Sequence, residues 1–131
     1  MITSAVEELL RFVSPVLWIS RLPAEDIELD GQVLRKGTRL QLGIGAANHD
    51  PDEFPNPEQL DFSRPKVNSL AFGYGPHFCL GAALARLETQ VALSRLLERI
   101  PQIQLGTGHF EYRPLYFLRS LKSLPIIIRS P

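Results

Sequence analysis

Apolar residues recur at helical spacing in two stretches of this chain and alternate with polar residues in several shorter ones. The first stretch predicts an amphipathic helix that ends before Pro15, with Ser4 and Glu7 forming a capping box at its start. Its apolar face comprises Val6, Leu9, Leu10 and Val13. The second stretch predicts a long helix that Ile100-Pro101 terminates. Its apolar positions are Leu80, Leu84, Leu87, Val91 and Leu97.

Short strands are expected between the two helices. Ile27 and Leu29 alternate with acidic residues, and Asp30-Gly31 is a strong signal for a two-residue hairpin turn. Lys36-Gly37 then turns the chain into a further strand over residues 38–44, so we expect one small antiparallel sheet. The apolar run that precedes it, residues 15–21, predicts a buried strand with a solvated end.

Regular periodicity fades over residues 46–65, where four prolines interrupt the backbone. This composition predicts an extended loop with at most one short helix near residues 48–50. After the long helix, scattered apolar residues between 103 and 117 predict short strands, and residues 124–128 predict a buried one. The chain therefore mixes helix and strand, with one long segment of irregular backbone at its centre.

Composition narrows the classes of function. The 131 residues include 14 basic and 14 acidic side chains, so net charge gives no argument for nucleic acid or an anionic membrane as a partner. A single cysteine excludes an internal disulfide. No apolar run approaches the roughly 18 residues of a membrane helix, and the start does not resemble a signal peptide. We expect a cytoplasmic protein that is not bound to a membrane.

The single cysteine, Cys79, lies between a glycine-rich turn and the long helical pattern. Unpaired N–H groups at a helix N-terminus stabilise an anion, so this position favours a thiolate that acts as a nucleophile or a metal ligand. A lone cysteine is more often an inert, buried small hydrophobe, and that interpretation stays open. Arg86 follows seven positions later, one too many for a thiolate-phosphatase loop. His77 adds only a second ligand, whereas a structural zinc site needs about four.

The residues around the cysteine fit a longer pattern. Phe72, Gly75, Cys79 and Gly81 match F-x-x-G-x-x-x-C-x-G, His77 lies two residues before the cysteine, and the chain continues as A-x-L-A-R-L-E. This stretch resembles the haem-binding loop of the cytochrome P450 family, and specifically of its bacterial soluble type. The resemblance implies that Cys79 is the axial thiolate ligand of the iron of haem b.

The same resemblance assigns roles to other side chains. It implies that His77 and Arg21 contact the haem propionates and that Phe72 shields the sulfur from water. Gly73, Gly75 and Gly81 would adopt positive φ or let the flat macrocycle approach the backbone, although an ordinary glycine-rich turn would have the same composition. Weaker expectations place six residues against the substrate: Val16, Leu17, Trp18, Ile19, Phe117 and Leu118. For Phe117 and Leu118, simple core packing is an equally good interpretation.

A second short motif lies in the first helix. Glu8 and Arg11 form E-x-x-R, which alone indicates no more than a solvated ion pair worth about 0.2 to 0.5 kcal/mol. Beside the cysteine loop it resembles the family's buried helix pair, which implies that the pair holds that loop in place. Many members carry an arginine where this chain has Gln59. We expect the Gln59 amide to bond to Glu8 without adding the usual third charge.

The resemblance covers nearly the whole chain but only the C-terminal part of the family's fold. It implies one partial domain, residues 1–131, in the order helix, small antiparallel sheet, long meander loop, cysteine loop, long helix and terminal strands. The implied function is a haem-thiolate monooxygenase that uses O₂, a hydrophobic small-molecule substrate and a ferredoxin- or flavodoxin-type electron donor. The alternative is a catalytically inactive, haem-binding or partner-dependent fragment, because the oxygen-activating helix is not in this sequence.

Overall fold

The computed structural model describes residues 2–65, 67–100 and 102–128. In chain order the elements are α1 (Ile2–Val13), β1 (Trp18–Arg21), β2 (Ile27–Leu29), β3 (Gln32–Leu34), β4 (Leu40–Gly43), α2 (Ile44–Ala47), a 3-10 turn (Gly75–His77), α3 (Ala82–Arg99), β5 (Ile103–Leu105) and β6 (Ile126–Ile128). The described strands form three separate antiparallel pairs, and α1 packs against α3. The predicted mixture of helices and small antiparallel sheets is confirmed.

Helix α1 ends where the sequence predicted but begins earlier. Ser14 takes a φ of 44°, its hydroxyl donates to the Arg11 carbonyl at 2.7 Å, and Pro15 follows. Ser4 lies within the helix, so the predicted capping box is wrong, and Glu7 instead pairs with Arg86 on α3. The fully buried residues of α1 are Val6, Glu8 and Arg11. The side of the helix that is most deeply buried is therefore largely charged.

The predicted hairpin is present at Asp30-Gly31. Both residues have positive φ, 53° and 74°, as the favoured two-residue turn requires. The next strand, β4, does not extend this hairpin as expected, but pairs with β1 in a separate sheet. Trp18 lies opposite Gly43, where a Cβ would come within 3.1 Å of the indole ring. The lack of a side chain at Gly43 thus fits the observed register.

Two further expectations about strands are corrected. Strand β1 exists, but Trp18 is 39% exposed, so it is not the buried strand that its composition suggested. Strand β6 pairs with β5, yet all three of its isoleucines are exposed. The pattern was misleading because a continuous apolar run indicates burial only where a second layer covers the sheet.

The C-terminal segment returns to the start of β1. Val16 and Leu118 form an isolated antiparallel bridge, and the backbone N–H of Leu17 donates to the Phe117 carbonyl at 2.9 Å. The long central segment is irregular, as predicted, but the short helix α2 ends at Ala47, before the residues 48–50 where a short helix was expected. In the ranges that the structure describes, no helix is both long and apolar enough to cross a bilayer.

Helix α3 confirms the predicted long helix, which ends at Arg99. Its leucine-rich face is exposed: the exposed fractions are 59% for Leu84, 58% for Leu87 and 53% for Val91. The less exposed side of the same helix carries mostly small or polar side chains together with Leu93, and Ala82 is buried there. An apolar stripe of this kind in water favours association with another apolar surface.

We expect the 131-residue chain on its own to self-associate through this face of α3. Replacing Leu87 or Val91 by Gln should weaken association about tenfold each, because burying such a side chain yields ~1.5 kcal/mol or more. Sedimentation equilibrium measures the association constant of each variant. Val33→Gln, an equally exposed apolar residue on the hairpin, serves as the control. Equal weakening by Val33→Gln would show that association is not specific to α3.

Candidate functional site

A cleft of about 420 Å³ brings together side chains that are distant in the sequence. It is bounded by the end of α1, strand β1, the start of α2 and the loop before α3. Its lining residues include Leu10, Pro15, Val16, Ile19, Arg21, Ile44, Leu70, Ala71, Phe72, Gly73, His77 and Cys79. Seven residues that the sequence singled out therefore meet at one place: Val16, Ile19, Arg21, Phe72, Gly73, His77 and Cys79.

The loop that carries Cys79 is held by its own backbone. The N–H of Cys79 donates to the Phe72 carbonyl at 2.9 Å, and the Cys79 carbonyl accepts the N–H of Ala82 at 3.2 Å, at the start of α3. The thiol itself is exposed, which contradicts the interpretation of an inert, buried cysteine. The loop thus presents the sulfur beside the cleft, at the approach to a helix N-terminus.

The glycines of this loop differ in what they contribute. Gly73 and Gly75 have φ values of 76° and 73°, a region that L side chains rarely adopt. Gly81 has a φ of −82°, so positive φ is not the reason for a glycine there. A Cβ on Gly81 would lie 3.9 Å from the Cys79 sulfur, an ordinary contact distance. For Gly81, close approach to the backbone and an ordinary glycine-rich turn both stay open.

Two side chains that can carry positive charge also border the cleft. His77 closes the 3-10 turn of the cysteine loop, and Arg21 ends β1. Arg21 donates one bond, from Nη1 to the Ser20 carbonyl at 2.9 Å. Both side chains are exposed, so their remaining donors are accessible to an anionic group.

The residues expected against a substrate are divided by strand geometry. Ile19 and Arg21 alternate onto the cleft side of β1, while Trp18 lies on the other face, with its indole over Gly43. The Leu17 side chain packs on Gly45, and Phe117 and Leu118 meet residues 16–17 through backbone contacts. The structure therefore places Val16 and Ile19 on the cleft and contradicts that position for Trp18.

A buried cluster of charges lies behind the cleft. Glu8 and Arg11 are both fully buried, which excludes the interpretation of a solvated surface pair. Arg11 donates from Nε and Nη2 to the two carboxylate oxygens of Glu8, at 2.8 Å each. Its other donor bonds reach three backbone carbonyls of the central loop, those of Asn48, Pro57 and Gln59. One guanidinium thus fastens α1 to the central loop.

The third member of this cluster is not the one that the sequence suggested. Gln59 contributes its backbone carbonyl, and the expected amide bond to Glu8 is wrong. In the described part of the chain, the remaining donors to Glu8 are Arg64 Nε at 3.1 Å and the N–H of Asp61 at 3.0 Å. The third charge is present after all, because the loop turns so that Arg64 reaches the carboxylate from further along the chain.

The electrostatics of Glu8 follow from these contacts. Burial by itself raises the pKa of the Glu8 carboxyl, because desolvation disfavours the charged form. The hydrogen bonds from Arg11, from the Asp61 N–H and from Arg64 oppose this effect and leave the pKa below its ordinary value. Glu8 is therefore ionised in the folded protein and contributes to stability as a carboxylate.

Asn48 is a site residue that no sequence pattern indicates. Its side chain is fully buried and bridges two segments: Nδ2 donates to the Ser14 hydroxyl at 2.8 Å, and Oδ1 accepts the N–H of Leu70 at 2.7 Å. Its carbonyl accepts from Arg11. Asn48 thus connects the charge cluster to Leu70, which lines the cleft. A single buried amide in a loop leaves no periodic pattern to detect.

Comparison with known proteins identifies relatives of this chain. The family model described as Cytochrome P450 matches residues 1–101. The chain is 44% identical over 126 residues to the biotin biosynthesis cytochrome P450 of Bacillus subtilis, and 46% identical over 129 residues to that organism's polyketide biosynthesis cytochrome P450 PksS. Each alignment covers 96% of this chain and 32% of the relative. The chain thus spans about a third of the length of these curated relatives.

Solved structures give the same result for the fold. The complex of P450BioI with acyl carrier protein ligated to hexadec-9Z-enoic acid superposes with a TM-score of 0.94 at 44% identity, over 98% of this chain and 33% of that one. The structure of PksS from Bacillus subtilis 168 also gives 0.94, over 98% and 34%. The order of helices, small sheets and cysteine loop therefore matches part of one known fold.

Replacing Glu8 by Gln tests the charge cluster. The variant should lose on the order of 3 to 5 kcal/mol of unfolding free energy, because two guanidinium groups keep their burial and lose their carboxylate. Urea denaturation followed by circular dichroism measures the loss. Glu58→Gln removes a carboxylate of the same size at an exposed position and should change stability by less than about 0.5 kcal/mol.

The pH dependence of the unfolding free energy tests whether the Glu8 carboxylate stabilises the folded protein. A carboxyl group whose folded pKa is lowered stabilises the protein above its unfolded pKa and loses that contribution as the pH falls through the folded pKa. The wild-type protein should therefore lose stability as the pH falls below the ordinary glutamate range. That decline should be smaller in Glu8→Gln, and identical profiles would contradict a stabilising carboxylate at this position.

The identity of the third charge can be tested separately. Arg64→Gln should cost about 1.5 to 3 kcal/mol, because it removes a charged hydrogen bond to Glu8. Gln59→Ala should cost less than about 0.5 kcal/mol, because the backbone carbonyl that Arg11 uses is retained. Urea denaturation of both variants makes the comparison. A larger loss for Gln59→Ala would support the side-chain role that the structure contradicts.

Proposed function

We propose, because this chain belongs to the cytochrome P450 family, that it forms the cysteine-ligand part of a haem-thiolate monooxygenase. The observation that carries the proposal is the cleft that unites Cys79 with Phe72, His77 and Arg21. These residues come from β1 and from the cysteine loop, and the thiol between them is exposed. The chain spans about a third of its relatives, so the activity of a whole enzyme is part of the proposal.

The residues of the cleft fit haem b in their chemistry. An exposed thiol is a soft ligand suited to iron, and the surrounding walls are mostly apolar. Gly73 has no side chain beside this wall, and its φ of 76° disfavours one. His77 and Arg21 at the border supply donors for carboxylate groups. When bound, haem supplies the redox chemistry by which one oxygen atom of O₂ enters a substrate.

Each side chain of the site has a separate proposed task. Cys79 ligates the iron as a thiolate, and the neighbouring backbone orders the loop around the sulfur. His77 and Arg21 orient the cofactor by contacts to its propionates. Phe72 keeps water from the sulfur side. Behind them, Glu8, Arg11 and Arg64 keep the loop in position, while Gln59 contributes its carbonyl.

A hydrophobic substrate is the best match to the exposed walls of the cleft. Val16 and Ile19 supply apolar surface there, and the backbone of Phe117 and Leu118 pairs with residues 16–17 beside them. We propose weaker substrate contacts for Leu17, Phe117 and Leu118. The name of one relative refers to polyketide biosynthesis, and one structural neighbour is bound to a carrier protein with a fatty acyl chain. For this chain we propose an apolar organic substrate. We also propose that a ferredoxin- or flavodoxin-type donor supplies the electrons.

A second candidate function is favoured by the exposed face of α3. Residues 1–131 would then be a single partial domain that binds haem or folds against another polypeptide without oxygenation of its own. The apolar residues Leu84, Leu87 and Val91 support this reading, because exposed surface of this kind is usually covered by a partner. Product formation by the isolated chain, reconstituted with haem and an electron donor, would contradict it.

The ligand role of Cys79 is tested by Cys79→Ser. The reduced wild-type protein with carbon monoxide should show the long-wavelength Soret band of thiolate-ligated haem, and the variant should lose it, because a hydroxyl is a harder ligand that does not ionise readily. Ala83→Ser adds a hydroxyl at an exposed position nearby and should leave the band unchanged. A long-wavelength band in Cys79→Ser would show that another group ligates the iron.

A further inference from the structure

One cation is shared by α1, α3 and the cysteine loop. Arg86 lies in the second turn of α3 and bonds bidentately to Glu7 on α1: Nε lies 2.6 Å from Oε1, and Nη2 lies 3.1 Å from Oε2. The same guanidinium stacks on the Phe72 ring, with Cζ 4.6 Å from the ring centroid. Three segments that are separate in the sequence therefore meet at this side chain.

The bidentate contact determines how the guanidinium is oriented. A carboxylate that accepts two parallel N–H bonds restricts the planar fork of an arginine far more than a single bond does. The side chains of Arg86 and Glu7 are 33% and 22% exposed, so solvent screens the pair and its direct contribution to stability is modest. The geometry is therefore of more consequence than the energy of the pair.

Phe72 connects this cation to the cysteine. Its carbonyl accepts the N–H of Cys79, and its ring lines the cleft together with the thiol. The edge of the ring meets Phe78, with 6.3 Å between centroids. A cation attracts the negative face of an aromatic ring, so Arg86 holds the Phe72 ring with one face toward the guanidinium.

We propose that Glu7 and Arg86 are positioning residues, which act through the Phe72 ring to order the Cys79 loop and to set the electrostatic environment of the sulfur. The ordering of the loop is a property of this chain alone. The effect on a bound haem rests on the function proposed above. Glu7 fixes the guanidinium, the guanidinium fixes the ring, and the ring lines the cleft together with the thiol.

The first measurement needs no haem. In Arg86→Gln, hydrogen exchange of the Cys79 amide should become faster and the NMR signals of the Phe72 ring should shift, because the ring loses the contact on its face. Arg95→Gln makes the same substitution on the same helix, in an exposed pair with Glu98 at 2.9 Å, and should change neither signal. Unchanged Cys79 exchange in Arg86→Gln would overturn the positioning role.

A charge reversal separates the positioning role from a plain bridge between helices. The double variant Glu7→Arg, Arg86→Glu restores an ion pair between α1 and α3 but places a carboxylate over the Phe72 ring, which repels it. Thermal stability should recover relative to the single variants, while the Cys79 exchange rate stays high. Recovery of both quantities would mean that Arg86 is only a structural bridge.

The second measurement uses the haem-loaded protein. Loss of a positive charge near the site disfavours the reduced state, so Arg86→Gln should have a more negative reduction potential than wild type, and Arg95→Gln should not. Arg86→Lys retains the charge without the planar fork, and should keep the potential closer to wild type while Cys79 exchange remains faster. If Arg86→Gln does not fold, Arg86→Lys takes its place in the exchange measurement.

The two proposals fail in different ways. If the wild-type protein lacks the thiolate spectrum, the haem function is wrong, and the exchange rate of Cys79 still decides whether Arg86 orders the loop. If the spectrum is present and Arg86→Gln changes neither the exchange rate nor the potential, the positioning role alone is wrong. An effect of Arg86→Gln that persists unchanged in a Phe72→Leu background would contradict action through the ring.

Discussion

The buried ion pair between Glu8 and Arg11 is the interaction on which the rest of this structure depends. In the described part of the chain, only four apolar residues are buried, whereas the largest of the completely buried side chains are Arg11 and Glu8. Arg11 also lies 5.1 Å from the centroid of the Phe54 ring and bonds to three loop carbonyls. An interior built in this way relies on directional bonds more than on the amount of apolar surface.

Directional bonds also explain how a charge cluster behind the cleft can position a loop in front of it. Arg11 donates to the Asn48 carbonyl, and the Asn48 side chain accepts the N–H of Leu70. The Leu70 carbonyl in turn accepts the N–H of Gly73, which lines the cleft. Each step is a hydrogen bond of 2.7 to 2.8 Å. Because such bonds fix direction as well as distance, the position of Gly73 in the loop depends on the position of Arg11.

The sequence predicted the parts that depend on local chemistry. The hairpin at Asp30-Gly31, the long helix and the glycine-rich cysteine loop all follow from φ requirements or helical spacing, and each is present. What it did not predict depends on the path of the irregular loop over residues 46–65. Gln59 at the usual position of the third charge predicts an amide bond in its place, but the loop turns so that Arg64 reaches the carboxylate. The pairing of β4 with β1 was missed for a similar reason, since spacing along the chain does not reveal which strands meet.

Helix α3 shows most clearly what periodicity leaves open. The spacing of its leucines predicts a helix, and the usual inference would turn that apolar face toward α1. The structure does the opposite: the predicted apolar face is exposed, and Ala82 and Ala85 lie on the less exposed side with Arg86. Small residues let the two helices approach closely enough for a guanidinium on one to bond to a carboxylate on the other. The composition of the less exposed side therefore suits the Glu7–Arg86 contact and the cysteine loop beside it. The composition of the apolar side suits contact with another apolar surface.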